Sequence, residues 1–395
     1  MSPQRRWTRA LLVGRQMGPG LITGAADDDP SGIATYSQAG AQFGYAMLWT
    51  MPVTYPLMVA VQLVSARIGR VTGKGLAHNM RQVLPGWAVN IIVLLLVVAN
   101  TINIGADLAV MGDALALVVK VNAHAATIAF ALICLLLQMF VPYNRYARVL
   151  KWLTFSLLTY VAVLVFVTLD YAALVKGLLV PSLPAGGVML FVAVLGTTIS
   201  PYLFFWQSAQ EVEEIEAKEK ASPLIEAPVQ ANRELRRIRI DTLAGMAASN
   251  AIAVAIMIAT AATLSGGDAT INSAADAAEA LRPAAGRFAE AMFAMGIVGT
   301  GLLAVPVLAG SAAYAVGERL KVRASLAAKP REAVAFYSVI GLAIAIGVAI
   351  DWSPVGPMQA LIWSAVVNGV VAVPLLTVMM LVVTRRNIMG EFAAH

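Results

Sequence analysis

Charge is what this 395-residue chain has least of: Asp, Glu, Lys and Arg make up only 13% of it, against about 25% in a soluble domain. With 59% hydrophobic residues, there is more apolar surface than a soluble core can bury. That excludes a soluble enzyme, a nucleic-acid reader and a disordered chain. The single cysteine, Cys134, excludes an intramolecular disulfide and a cysteine-cluster metal site. The histidines are only His78, His124 and His395, too scattered for a histidine-rich site. No nucleotide loop, metal-ligand histidine pair or nucleophile motif occurs, so nothing points to an enzyme or to a bound cofactor. No cleavable signal peptide is evident, since the first fifteen residues are basic and the next helix carries acids. What is left is a polytopic α-helical membrane protein, with the lipid bilayer rather than nucleic acid as its surroundings.

Charge-free runs mark the spans, because a helix needs about 20 mostly apolar residues to cross a bilayer. Clean runs lie at 82–106, 121–144, 152–169, 177–210, 242–267, 291–317, 333–350 and 352–384. Residues 30–66 are uncharged too, but they are too long for one span and hold a breaker-rich stretch at 40–45. They read as the end of one helix, a short turn and a full second helix. The first helix is expected to begin near Leu11, which makes ten spans. With the N-terminus inside, the inner loops and tails hold Arg5, Arg6, Arg9, Arg15, Arg67, Arg70, Lys74, Arg81, Arg145, Arg148, Lys151, Lys218, Lys220, Arg233, Arg236, Arg237, Arg239, Arg319, Lys321, Arg323, Lys329, Arg331, Arg385 and Arg386, 24 of the 28 basic residues. Only Lys120, Lys176, Arg282 and Arg287 fall outside. The positive-inside rule requires this asymmetry. Both termini are expected in the cytoplasm, and the membrane is read as a bacterial cytoplasmic one. The sizeable hydrophilic insert, 211–239, mixes acids and bases and reads as a solvated helix–loop.

Two spans are broken. Span 1 carries Asp27, Asp28 and Asp29, then Pro30 and Gly32; span 6 carries Pro201 in mid-run. Proline removes a backbone donor and blocks the regular helix. Such breaks at membrane depth survive only inside protein or against a watery cavity. They lie five spans apart, so the two spans run in opposite directions. That is the pattern of two inverted five-helix repeats, about 11–170 and about 186–384, in one transporter domain over 1–395. An intramembrane acid costs about 2.5–3.5 kcal/mol on insertion scales. A regular helix fans three successive residues over about 200°, so the three aspartates cannot serve one ion unless the backbone is unwound. At least one is expected to bind substrate. Asp27 and Asp28 could instead cap the broken helix or pair with a base.

At these residues the chain resembles the Nramp family of divalent-metal transporters. That family opens with GPG, then after eight residues DPGN, then a QAGA-type segment. Here Gly18-Pro19-Gly20 is followed after eight residues by Asp29-Pro30-Ser31-Gly32 and then Gln38-Ala39-Gly40-Ala41. The likeness continues through Val71-Thr72-Gly73-Lys74, Gly105-Ala106-Asp107-Leu108-Ala109 and spans 6, 7 and 10, over nearly the whole chain. It implies a LeuT-type fold. It also implies a metal site built from the Asp and Asn of DPGN and the Ala carbonyl and Met sulfur of an A-x-x-M-P-H stretch. Asp29 keeps the aspartate, Gly32 stands at the asparagine, Thr197 at the alanine, Ser200 at the methionine and Tyr202 at the histidine. Of an acidic pair in span 3, Asp107 matches and Val110 replaces the other. The candidate ligands are therefore Asp29, Asp28, Gly32, Thr197 and Ser200, supported by Tyr202, Asp107 and Asn250.

The departures carry chemistry. A thioether helps select transition metals, whereas Ser200 offers only oxygen. Loss of the asparagine and methionine side chains is expected to open space. Mg²⁺ takes octahedral oxygen and keeps several waters, so a roomier all-oxygen site suits it. On resemblance as well as on donor softness, the chain looks more like the Nramp-related magnesium transporters than the Mn²⁺/Fe²⁺ carriers, and Mn²⁺ is the next choice. Loss of the histidine and of one span-3 acid weakens the case for proton coupling. Asn100, Asn103 and Asp107 share one face of span 3, either as a water path or as interhelical hydrogen bonds. Asn250 and Asn368 divide between path and packing in the same way. Gln207 and Gln210 are expected at the inner vestibule, and Glu211, Glu213 and Glu214 at a solvated helix end. Gly20-xxx-Gly24 allows close helix contact. The expected function is alternating-access transport of a divalent cation. The alternative is a LeuT-type carrier of a small organic solute, an amino acid or organic cation, without metal transport.

Overall fold

The computed structural model describes residues 19–141, 155–265 and 270–394. The start near Leu11 and Gly18 of the opening motif fall outside these. Span 1 is two helices, α1 (Pro19–Asp27) and α2 (Pro30–Phe43). Spans 2 to 5 are α3 (Thr50–Thr72), α4 (Gly86–Val118), α5 (Ala123–Phe140) and the short α6 (Leu158–Phe166). Span 6 is again two helices, α7 (Val188–Thr198) and α8 (Pro201–Glu216). Spans 7 to 10 are α9 (Ala231–Leu264), α10 (Ala289–Leu320), α11 (Val334–Ile350) and α12 (Pro357–Val383). Among the described residues, seven of the spans are helices long and apolar enough to cross a membrane and two are shorter apolar helices, while span 1 is divided into its two halves. Among the described residues the protein is all-α, an integral membrane fold whose ten spans, the first and sixth broken, follow the order of two inverted repeats.

Helices outrun the charge-free stretches. Span 3 continues through Asp107 and Asp113, and span 7 begins among arginines at Ala231. The turn expected at 40–45 falls at Gly44, whose φ of +56° closes α2 in a conformation that favours glycine.

Small residues set the helix spacing, as expected where lipid supplies no hydrophobic drive between helices. Gly20 and Gly24 lie flat on α9: a Cβ on Gly24 would stand 2.4 Å from the Gly245 carbonyl carbon. Gly20 N–H also donates to Asp241 Oδ2 at 2.8 Å. In the second repeat, a Cβ on Gly196 would stand 1.9 Å from the Ala365 carbonyl oxygen on α12. Asn100 Nδ2 donates to Leu308 O at 2.9 Å and Ser311 Oγ at 2.8 Å, tying span 3 to span 8 as packing.

The end of the bundle that carries most of the basic residues differs from expectation. Glu211 is wholly buried, as are Arg70 and Glu234. Arg237 Nη2 meets Glu211 Oε2 at 2.5 Å and Arg237 Nε meets Glu234 Oε2 at 3.1 Å; Arg70 Nη2 lies 3.5 Å from Glu234. Glu213 accepts from the Tyr314 hydroxyl and, at 2.7 Å, from Leu326 N–H. Glu211, Glu213 and Glu214 were expected at a solvated helix end. Glu214 does lie partly exposed, paired with Lys218. Glu211 is covered and Glu213 half-covered because α8 runs past its apolar stretch along spans 2 and 8, where a buried carboxylate needs a partner. Gln207 is buried as well, accepting from Thr23 Oγ1 at 2.5 Å.

Candidate functional site

The break in span 1 follows from the dipeptide Asp29-Pro30. Proline pushes the residue before it out of the helical region, and Asp29 is extended at φ −70°, ψ 167°. Proline then opens α2, where its missing N–H is not needed. Asp29 is the N-cap: its Oδ1 accepts from Gly32 N–H at 2.7 Å and Ser31 Oγ at 2.8 Å. Its Oδ2 accepts from Asn103 Nδ2 of span 3 at 3.1 Å, and the Tyr202 hydroxyl lies 3.5 Å away. The Tyr202 proton is engaged by the Ala26 carbonyl at 3.1 Å, in the last turn of α1. Asp29, Asn103 and Tyr202 are fully buried.

Span 6 breaks for the same reason at Ser200-Pro201. Ser200 is extended, at φ −77° and ψ 127°, but its side chain does not cap α8. It turns back instead, with Oγ 2.9 Å from Gly196 O and 2.8 Å from Thr197 O. The hydroxyl proton is thus held by carbonyls freed at the end of α7, which leaves the oxygen lone pairs for a ligand. Thr197 is buried, with its Oγ1 beside the Tyr36 phenol and the Gly32 backbone.

Asp29, Gly32, Thr197 and Tyr202 come together at the crossing of the two breaks, and Ser200 sits on the adjoining strand of span 6. The space expected at Gly32 is not open. A Cβ there would lie 3.1 Å from Thr197 Oγ1 and 3.3 Å from the Tyr36 ring, tighter than ordinary contact. Asp28 points elsewhere. It and Asp27 share the Ser249 hydroxyl of span 7, at 2.9 Å and 2.6 Å. The unwound backbone splays the three acids, two to span 7 and one to spans 3 and 6. Asp107 is fully buried one turn past Asn103, and neither of its oxygens has a hydrogen-bond partner among the described residues. Asn250 does not reach the acids; its Oδ1 is buried and unpartnered, and its neighbour Ser249 makes the contact. Asn368 is buried with both amide atoms unpartnered, so it provides no packing hydrogen bond.

Asn103, Ser249 and Ser364 were not among the candidate ligands. Asn103 already lay on the polar stripe of span 3. Nothing in the sequence distinguishes Ser249 from Asn250, because only the rotation of α9 decides which faces α1.

In comparisons with known proteins, residues 20–395 match the family described as natural resistance-associated macrophage protein-like, Nramp. A divalent metal cation transporter MntH of Yersinia pestis is 35% identical over 202 residues, 49% of this chain and 48% of that protein. One of the same name from Aeromonas hydrophila is 28% identical over 310 residues, 76% of this chain and 71% of that protein. The chain thus spans about half the length of the first of these curated relatives. In fold it is similar to a manganese transporter of Eremococcus coleocola, with TM-score 0.71 and 18% identity over 96% of this chain and 81% of that one. It is similar also to Mhp1, a nucleobase-cation-symport-1 family transporter, with TM-score 0.59 and 14% identity over 88% and 74%. With a family match over nearly all its length and two proline breaks meeting at one buried aspartate, the chain belongs to the Nramp family.

Proposed function

We propose that this protein carries a divalent metal cation across the membrane by alternating access, with the ion held at Asp29 between the two breaks. It is a transporter rather than an enzyme, and both termini and the buried Arg70–Glu234–Arg237–Glu211 network lie on the cytoplasmic side of a bacterial inner membrane. One observation carries the reading: a buried carboxylate stands where two discontinuous helices cross, surrounded by hydroxyls, an amide and freed carbonyls. Half-helix ends with unwound carbonyls suit a cation. An organic carboxylate would need a base there, and among the described residues no hydrogen bond or ion pair brings one to Asp29.

The finer reading is Mg²⁺. Every donor around Asp29 is an oxygen or an amide, and hard cations take oxygen. The crowding at Gly32 gives no support to the roominess that favoured a hydrated ion, so donor hardness is what supports Mg²⁺. The names of the relatives favour Mn²⁺, which also accepts oxygen. Uptake into proteoliposomes decides both points. Asp29→Asn is expected to abolish uptake while leaving size-exclusion behaviour unchanged, because the amide oxygen still caps α2. Wild-type uptake by that variant excludes Asp29 as the ligand. Among wild-type competitors, Mg²⁺ and Mn²⁺ are expected to block uptake of each other and Cd²⁺ to block weakly. Uptake of an amino acid with no divalent uptake would establish the organic-solute alternative.

A further inference from the structure

The two oxygens of Asp29 have different duties. Oδ1 is taken by Gly32 N–H and Ser31 Oγ, both in the first turn of α2, and holds that helix end. A cation that took Oδ1 would uncap α2, so Oδ2 is the oxygen it must use. The firm donor on Oδ2 is Asn103 Nδ2, because the Tyr202 proton is engaged by Ala26 O. An amide NH₂ and a cation are both positive toward a carboxylate oxygen. They compete for it, and a cation on the span-3 side of Oδ2 would meet the repulsive NH₂ end of Asn103.

The far end of the amide decides what a turn would cost. Asn103 Oδ1 lies 2.5 Å from Ser364 Oγ, and the same hydroxyl lies 2.7 Å from the Leu361 carbonyl. A hydroxyl has one proton and two acceptor sites. With the proton on Asn103, Ser364 donates to Oδ1. With the proton on Leu361 O, Ser364 accepts from an amide N–H. Ser364 therefore serves either end of the amide. The oxygen and nitrogen ends have nearly the same shape, so a half-turn about the last side-chain bond needs no repacking although Asn103 and Ser364 are both fully buried.

We propose that Asn103 is a ligand of the transported cation: on loading, its amide turns over, Oδ1 joins Asp29 Oδ2 on the ion, and Ser364 changes from donor to acceptor. This rests on the reading of Asp29 as the cation ligand. It supplies from span 3 the amide oxygen that span 1 lacks at Gly32. A side chain at Gly32 itself would press on Thr197 and Tyr36, which lie 3.1 Å and 3.3 Å from its Cβ position. Amide carbonyls are ordinary ligands for hard divalent cations.

The test is isothermal titration of the purified full-length protein with MgCl₂ and with MnCl₂. Asn103→Leu keeps the volume and removes the ligand; Ser364→Ala removes the acceptor for the turned amide. Asn103→Leu is expected to raise Kd by about 10–100-fold, the range for disturbing a metal-site shell, and Ser364→Ala to raise it less. Infrared difference spectra of protein labelled with ¹³C-asparagine give a second readout. Adding Mg²⁺ is expected to shift an asparagine carbonyl band in the wild type and not in Asn103→Leu. If Asp29→Asn abolishes binding while Asn103→Leu binds as the wild type does, the inference fails and the Asp29 site stands. If Asp29→Asn itself binds normally, both fail. Should Asn103→Leu not fold, a wild-type Kd for Ser364→Ala together with no asparagine band shift in the wild type overturns the inference.

Discussion

In span 1 the residue before the proline is an aspartate and in span 6 it is a serine, and that difference reverses which half-helix the side chain serves. Asp29 reaches forward and caps α2, taking Gly32 N–H at 2.7 Å. Ser200 reaches back and binds the carbonyls of Gly196 and Thr197 at the end of α7. A carboxylate accepts only, so it seeks the amide-rich start of a helix. A hydroxyl can donate, so it can quiet the carbonyl-rich end. The two repeats thus make the same break and place opposite polarities beside it, an anion from one and a hydroxyl with covered carbonyls from the other. A cation site needs the first; the second supplies neutral oxygen without adding charge.

Truncating both side chains separates these roles most strongly. Asp29→Ala strands donors from α2 and span 3 at once, each left unsatisfied at about 1–3 kcal/mol. Ser200→Ala gives up one hydroxyl and is expected to cost about 0.5–1.5 kcal/mol. Unfolding of both variants in detergent measures the gap, and equal losses would mean that the two breaks are equivalent after all.

The glycine contacts sharpen the comparison at the next level. Gly24→Ala presses α1 off α9, and Gly196→Ala presses α7 off α12; overpacking of this kind costs about 1–3 kcal/mol. α1 is also held by the Thr23–Gln207 and Gly20–Asp241 hydrogen bonds. A shift there is expected to expose Thr23, so a Thr23→Cys reporter gains thiol labelling in Gly24→Ala and not in Gly196→Ala. With Cys134 buried, the background is low. Equal labelling in both would mean that the Gly24 contact does not by itself seat α1.

The smallest effect lies outside the membrane, beyond span 2. His78 is half-buried, and burial first, then Lys74, Arg81 and Lys321, hold its imidazole below the ordinary 6.5. His78 lies in a short helix, Leu76–Met80, and its backbone N–H donates to Glu318 Oε2 at 3.1 Å, so that carboxylate faces the same helix. The unfolded chain takes up this proton near 6.5 and the folded one only at lower pH. The folded state therefore loses stability as pH falls from 6.5 to the folded value, and the loss is complete below it. Melting temperature is expected to fall less between pH 7.5 and 5 in His78→Gln than in the wild type. Identical slopes would show that the end of span 2 is insensitive to this charge.

Much of this was legible in the residues alone. Ten spans follow from apolar length, and the breaks follow from Asp-Pro and Ser-Pro, because proline acts on its immediate neighbours whatever surrounds it. Asp29 could be singled out for the same local reason. What lay beyond reach was rotation and depth. Glu211 reads as solvent-facing because neighbours in sequence are charged, yet it is buried because α8 carries it among Arg70, Arg237 and Glu234. Gly32 reads as empty space, yet Thr197 from the other repeat crowds it. Asp28 reads as a partner of Asp29, yet the unwound turn sends it to Ser249. Local chemistry determined where the chain must break and which residue would carry the charge. Only the packing of distant helices decided which oxygen of Asp29 is engaged, by which amide, and which acids share its site, since those depend on how each helix is turned about its axis and periodicity leaves that angle open.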